Sequence, residues 1–353
     1  MTARDNLTAA LEGRTPDRTP LAIYAYFMGA GTPADLAPCL RNDDWKRLLD
    51  LGLSVTGHCA LVQATEHGVE TGTEERREGN DVYEMTFKRT PVGEIRKVMR
   101  NGWHSEDWIK EPRDYRIVQW IVEHTELQPC YDRFAEHEAA VGEHGVTVVT
   151  GSGDWLHRSP LMTINIDWAG TEQFCMDVAL EVPELFDLYA AMKKQFIAEQ
   201  RLIAAGPGRF VKYWENLTVG MLGPDRYRDF LMPVYRESVP ILEAGGKRLM
   251  VHYDGALNVI ADQIAKAPFP IIESLTEPPE GDMTYDACRA LWPDKVFWGN
   301  LNIGLYDLPA PRLREAVLDR CRRAGRRGLA FEISETLPAN WKTAVPVILD
   351  ALA

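Results

Sequence analysis

The sequence predicts an α/β protein, a (β/α)8 TIM barrel running as one domain over residues 1–353, with a β-hairpin insertion at about 80–100 in its N-terminal half. Three observations predict it. Short strand-like runs alternate with helical segments through most of the chain, the pattern of parallel βα units. Seven of those runs end on a polar side chain, at His58, Asp154, Glu215, His252, Glu273, Asn300 and Glu332, and barrels take their functional groups from strand C-termini. The competing doubly wound sheet needs a G-x-G-x-x-G first turn, and Gly151-Ser152-Gly153 has no third glycine in place, so dinucleotide binding is rejected with it.

The elements follow in order. Residues 3–13 read as a short amphipathic helix, with Leu7 and Leu11 on one face and Thr2 as cap. A turn at 14–20 leads to the first strand, 21–27, in which Tyr24 and Tyr26 share a face and suit an organic ligand. A helix over 42–51 precedes a second strand that brings His58 to its end. Residues 82–88 and 94–98 alternate around Thr90-Pro91-Val92-Gly93, the predicted hairpin. Helices over 111–126 and 129–143 lead to the strand 146–151 and the segment carrying Asp154 and Trp155. Helices at 169–180 and 183–204 come next, the second entered through Pro183. Strand 210–216 carries Tyr213, Glu215 and Asn216, and helix 224–244 has a kink at Pro233 and closes at Gly245-Gly246. The run 248–255, turning at Gly255, and strands 270–275, 296–301 and 328–334 then alternate with helices at 256–267, at 310–325 and from about Ala339.

Composition narrows the function. A net charge of −13 argues against nucleic acid or an anionic membrane surface as partner, both of which need a basic face. No apolar run reaches the roughly 18 residues of a membrane span, and the opening Met1-Thr2-Ala3-Arg4-Asp5 has no apolar signal core, so a cytoplasmic location is expected. Cys39, Cys59, Cys130, Cys175, Cys288 and Cys321 are scattered without a C-x-x-C pair and read as reduced thiols. The arginines Arg320, Arg322, Arg323, Arg326 and Arg327 read as the solvated face and C-terminus of a helix.

The most informative stretch is Arg248-Leu249-Met250-Val251-His252-Tyr253-Asp254-Gly255. An apolar run ends there in a histidine and an acid two residues apart, on one face of a strand. That pattern points to a metal site or to an acid–base pair.

Four fragments then resemble one superfamily. Leu11-Glu12-Gly13-Arg14-Thr15-Pro16-Asp17-Arg18-Thr19-Pro20-Leu21, His252-Tyr253-Asp254-Gly255, Trp298-Gly299-Asn300-Leu301 and Leu337-Pro338-Ala339-Asn340 occur in the order found there. The chain resembles the superfamily of uroporphyrinogen decarboxylase, the corrinoid-dependent methyltransferases and the catalytic barrel of cobalamin-independent methionine synthase. Its thiol-methylating members hold zinc by a His-x-Cys pair and a cysteine near the end of the last strand, and methionine synthase adds a glutamate. The resemblance places His252, Glu273 and Glu332 as metal ligands, with glutamate standing for the last cysteine and Asp254 for the Cys of the pair, as a fourth ligand or an orienter of His252.

A site of imidazole and carboxylate oxygens binds Zn²⁺ or another divalent ion as a harder Lewis acid than a thiolate site, suited to polarising an ether oxygen. The expected activity is therefore methyl transfer from a small, O-methylated donor to a corrinoid (cobalamin) on a partner protein, with His252 and Asp254 catalytic. Tyr24, Tyr26, His58, Trp155, Tyr213, Glu215, Asn216 and Asn300 are the expected substrate contacts, and a homodimer is left open. Two alternatives stand beside it: a metal-free lyase acting on a carboxylated substrate, and a non-catalytic barrel that binds a small ligand. The first is disfavoured because Tyr24-Ala25-Tyr26-Phe27-Met28-Gly29 stands where the decarboxylase has an arginine-rich loop to bind carboxylates.

Overall fold

Eight short parallel strands close into a barrel in a computed structural model that describes residues 1–152, 157–217, 219–334 and 336–353. They are β1 (Leu21–Tyr24), β2 (Leu53–Ala60), β3 (Gly145–Thr150), β4 (Phe210–Tyr213), β5 (Arg248–His252), β6 (Ile271–Thr276), β7 (Val296–Asn300) and β8 (Leu329–Glu332). Each pairs with the next in chain order, and β8 closes on β1 with Phe331 opposite Leu21. All eight expected strands are present. Their ends shift by a few residues, most at β1, where the chain turns into a 3-10 helix at Ala25–Met28.

The strands are buried along nearly their whole length, as parallel strands covered on both faces must be. Alternate residues fill the interior. Ala22, Val146, Val148, Phe210, Met250, Ile271, Val296, Trp298 and Ala330 form one apolar cluster there. Leu7, Ala10 and Leu11 of the helix Ala3–Leu11 join it. Because Val146, Phe210, Ile271 and Val296 lie at strand starts, that helix closes the N-terminal end of the barrel. Thr2 and Asp5 form a reciprocal capping box that fixes where it begins. Gly145 has a steric reason to be glycine, since a side chain there would run into the backbone carbonyl of Val55 on β2.

The chain forms two compact units, residues 1–61, 131–150 and 204–353, and residues 62–130 and 151–203. The first contains the whole barrel. The second is made of two excursions of the chain, leaving after β2 and after β3, and it is richer than the expected hairpin. Glu70–Glu78, Asp81–Thr90, Gly93–Arg100 and Trp103–Glu106 form a four-stranded antiparallel sheet, and Val62–Glu66 pairs with Thr125–Pro129. The expected hairpin is the central pair of that sheet. The outer strand Glu70–Glu78 is almost entirely exposed and charged, so it has no apolar alternation by which a strand is read from sequence.

The helix expected over 224–244 is interrupted by a wide π turn at Tyr227–Leu231, and Pro233 sits in the first turn of the helix that follows, Met232–Ala244. A proline in that first turn costs Met232–Ala244 no hydrogen bond of its own. Among the described residues, no helix is long and apolar enough to cross a membrane. The arginine patch on Ala310–Ala324 and just beyond is only partly a solvated face. Arg320 and Arg323 reach the buried carboxylate of Glu277, and Arg326 donates to the carbonyl of Asp17.

Candidate active site

Interior positions change from apolar to polar toward the C-terminal ends of the strands. On β4, Phe210 belongs to the apolar interior, so the period of two puts Lys212 and then Trp214 on that same side. The same rule carries Ala22 to Tyr24, Met250 to His252, Ile271 to Glu273 and Ala330 to Glu332.

Their side chains meet. Lys212 Nζ donates to Glu273 Oε1 at 2.7 Å and to the Tyr24 hydroxyl at 2.9 Å, and that hydroxyl donates onward to Glu273 Oε1. The other carboxylate oxygen, Oε2, lies 2.7 Å from His252 Nδ1. His252 Nε2 points the other way, 3.8 Å from Asp254 Oδ2. The Lys212 ammonium also lies 3.4 Å from the ring centre of Trp214 and 4.6 Å from that of Tyr24, a cation held against two aromatic faces. Lys212 is 1% exposed and Glu273 is fully buried.

Such burial alone would raise the pKa of Glu273. The charges of Lys212 and His252 and their hydrogen bonds outweigh it, and the carboxyl is held well below its usual range. Glu332 goes the opposite way. Burial and the adjacent negative charge of Glu273 push it up to about 8, and neither of its oxygens has a hydrogen-bond partner among the described residues. The Tyr24 phenol is close enough to oppose that rise but gives its hydrogen bond to Glu273. One carboxyl is thus favoured as the anion and its neighbour as the neutral acid, the split expected when two such groups share an enclosed space. Burial and the Lys212 charge push His58 down to about 3, so its imidazole is neutral. It lies 5.2 Å, ring centre to ring centre, from both Tyr24 and Trp214, and Trp214 lies 5.6 Å from His252. Tyr24, His58, Trp214 and His252 therefore form a nearly continuous aromatic wall.

Not every expected contact joins this cluster. Tyr26 stacks on Tyr24 at 5.2 Å with its ring 46% exposed. Asn300 is buried on β7 and donates to Thr276 Oγ1 at 3.3 Å, while its Oδ1 has no hydrogen-bond partner among the described residues. Tyr213 and Glu215 have the opposite parity to Lys212. Glu215 accepts from Tyr235 at 2.9 Å, and the Tyr235 hydroxyl meets that of Tyr253 at 2.8 Å, in a buried network outside the barrel interior. Asn216 is exposed, with φ of 45°. Trp155 and Asp154 lie outside the described residues.

Lys212 is a residue of this cluster that the sequence reading did not single out. The signal was present: a lysine in the middle of Phe210-Val211-Lys212-Tyr213 is a charge inside a buried strand, and such a charge must be paired. A second feature could not be read from sequence. Strand β6 has a register irregularity between Glu273 and Leu275, where Ser274 adopts φ of 64°. Bulges of this kind re-aim side chains beside active sites.

The residues expected to bind zinc are neighbours, but they do not form a metal site. Both oxygens of Glu273 and the Nδ1 of His252 are used within the cluster, and an ammonium already stands against the carboxylate. Among the described residues, no group of three His, Cys, Asp or Glu side chains is arranged to hold a metal ion. The donor set does not fit the three-ligand divalent centre that the resemblance implied.

No family model and no curated protein matches the chain. Among solved structures it is similar to a methyltransferase from Methanosarcina mazei, at 14% identity and a TM-score of 0.59 over 99% of this chain and 98% of that one. A B12-independent methionine synthase from a Shewanella species aligns at 10% identity and a TM-score of 0.39, over 90% and 86% of the two chains. The first likeness shows the barrel fold along the whole chain.

Proposed function

We propose that this barrel is a methyltransferase that uses a Brønsted acid where the resemblance implied a metal. The donor is a small, uncharged O-methylated molecule lying against Tyr24, His58 and Trp214, and the acceptor is a corrinoid presented by a partner protein. A reduced corrinoid supplies a soft nucleophile for the methyl carbon. The bond from carbon to the acceptor forms as the carbon–oxygen bond of the donor breaks, with its electron pair staying on oxygen. Glu332 gives its proton to that oxygen, leaving a hydroxyl product and a Glu332 carboxylate. Glu273 holds His252 through Nδ1, so that Nε2 and Asp254 are directed at the donor's polar end. An uncharged donor suits this wall because the Lys212 ammonium already occupies the Trp214 face that a cationic donor would seek.

The observation that carries this reading is Glu332, a buried carboxyl with no hydrogen-bond partner among the described residues and pushed up to about 8, hence a proton donor at neutral pH. The shared fold with a methyltransferase supports it. The test is an anaerobic assay that follows loss of cob(I)alamin absorbance with a methoxyphenol as donor. Wild-type protein is expected to consume cob(I)alamin in a donor-dependent way, and Glu332→Gln to do so slower by about 10²-fold or more. Equal rates in the two proteins would remove Glu332 from the reaction. A second assay, for carbon dioxide release from polycarboxylates, tests the lyase alternative.

A further inference from the structure

We propose that Lys212 is the resident cation of this site: its ammonium takes the electrostatic place of a divalent metal and excludes one. The placement carries the argument. Lys212 arises from the interior of β4 and is closed in by Trp214 and Tyr24, so its ammonium is built in and is not exchangeable. It stands 2.7 Å from Glu273 Oε1, against the carboxylate that the resemblance names as a metal ligand. A second cation on that oxygen would face the ammonium at close range in a medium of low dielectric, where like charges repel strongly.

The converse follows from the same geometry. With the ammonium removed, Glu273, Glu332 and His252 remain together around a buried negative charge that has lost its counter-ion. Carboxylates left in that state recruit a cation or a proton. Imidazole and carboxylate oxygens are donor types that Zn²⁺ or Co²⁺ takes; in this structure they are not arranged around an ion, and losing the ion pair to Lys212 frees Glu273 to turn toward one. Lysine and metal are therefore alternatives at one position, and residue 212 decides between them. The inference concerns the charge of the site and does not depend on which group is transferred; its test uses no methyl donor, so its failure and that of the methyl-transfer reading can be told apart.

Four proteins are dialysed against zinc chloride at pH 7 and assayed for retained metal by elemental analysis: wild type, His252→Ala, Lys212→Met, and the double variant. Wild type and His252→Ala are expected to retain the same background, below about a tenth of an equivalent. Lys212→Met is expected to retain close to one equivalent, and the double variant to return to background. With Co²⁺ in place of zinc, a visible absorption band is expected in Lys212→Met alone. An equivalent of zinc retained by wild type and lost in His252→Ala would overturn the proposal, as would a Lys212→Met protein that binds no more metal than wild type. Should Lys212→Met not fold, the comparison of wild type with His252→Ala decides by itself.

Discussion

Lys212 Nζ lies 2.7 Å from Glu273 Oε1, an ion pair between β4 and β6 with both partners almost fully buried. Desolvation makes such a pair a weak source of net stability, but breaking one half of it leaves an uncompensated charge. Glu273→Gln is accordingly expected to lose about 3–5 kcal/mol of unfolding free energy. Urea denaturation measures it, and the double variant with Lys212→Met is expected to recover part of the loss, a coupling that two unrelated sites would not show.

The raised pKa of Glu332 makes a prediction about pH. Its carboxyl ionises near pH 4.5 when unfolded and at about 8 when folded. Between those values the native state holds the extra proton, so stability falls as pH rises through that window. Thermal melting of wild type from pH 5 to pH 9 is expected to decline more steeply than that of Glu332→Gln, which has no proton to lose there. The same titration sets the alkaline limit of the proposed reaction: the rate is expected to fall above about pH 8 in wild type.

His58 is expected not to titrate near neutrality. With its pKa pushed down to about 3, its ring signals in a two-dimensional ¹⁵N NMR spectrum should stay constant between pH 5 and pH 8. Movement with a midpoint near 6.5 would place the ring in water, away from Lys212.

Tyr235→Phe separates the two faces of β4. It removes the hydrogen bond to Glu215 and is expected to cost about 1–3 kcal/mol by denaturation. Turnover per folded molecule should be nearly unchanged. Trp214→Ala is expected to lower turnover per folded molecule through loss of the aromatic wall, and to cost stability as well because its ring packs on the Lys212 ammonium, His58 and His252.

The two sides of β4 also show how far the sequence could be read. Alternation of strands with helices was enough for the barrel, and the focal strand did deliver His252 beside Glu273. Tyr213 and Glu215, expected as substrate contacts, lie on the other side of the strand from Lys212 and Trp214: on a strand buried on both faces, apolar residues occur on each side and the inward one is not marked. The core membership of Phe210 settles it, and only the three-dimensional arrangement supplies that. The zinc reading rested on donors alone. A list of donors does not reveal that a lysine from a different strand, far away in the chain, stands among them.

The helix Ala3–Leu11 stoppers one end of the barrel with Leu7 and Leu11. Above it the apolar interior is filled by residues such as Val148, Met250 and Ile271, so that end offers no passage. Whatever reaches Lys212, His252 and Glu332 comes from the side of the strand C-termini, a direction that the first eleven residues help to fix without touching the site themselves.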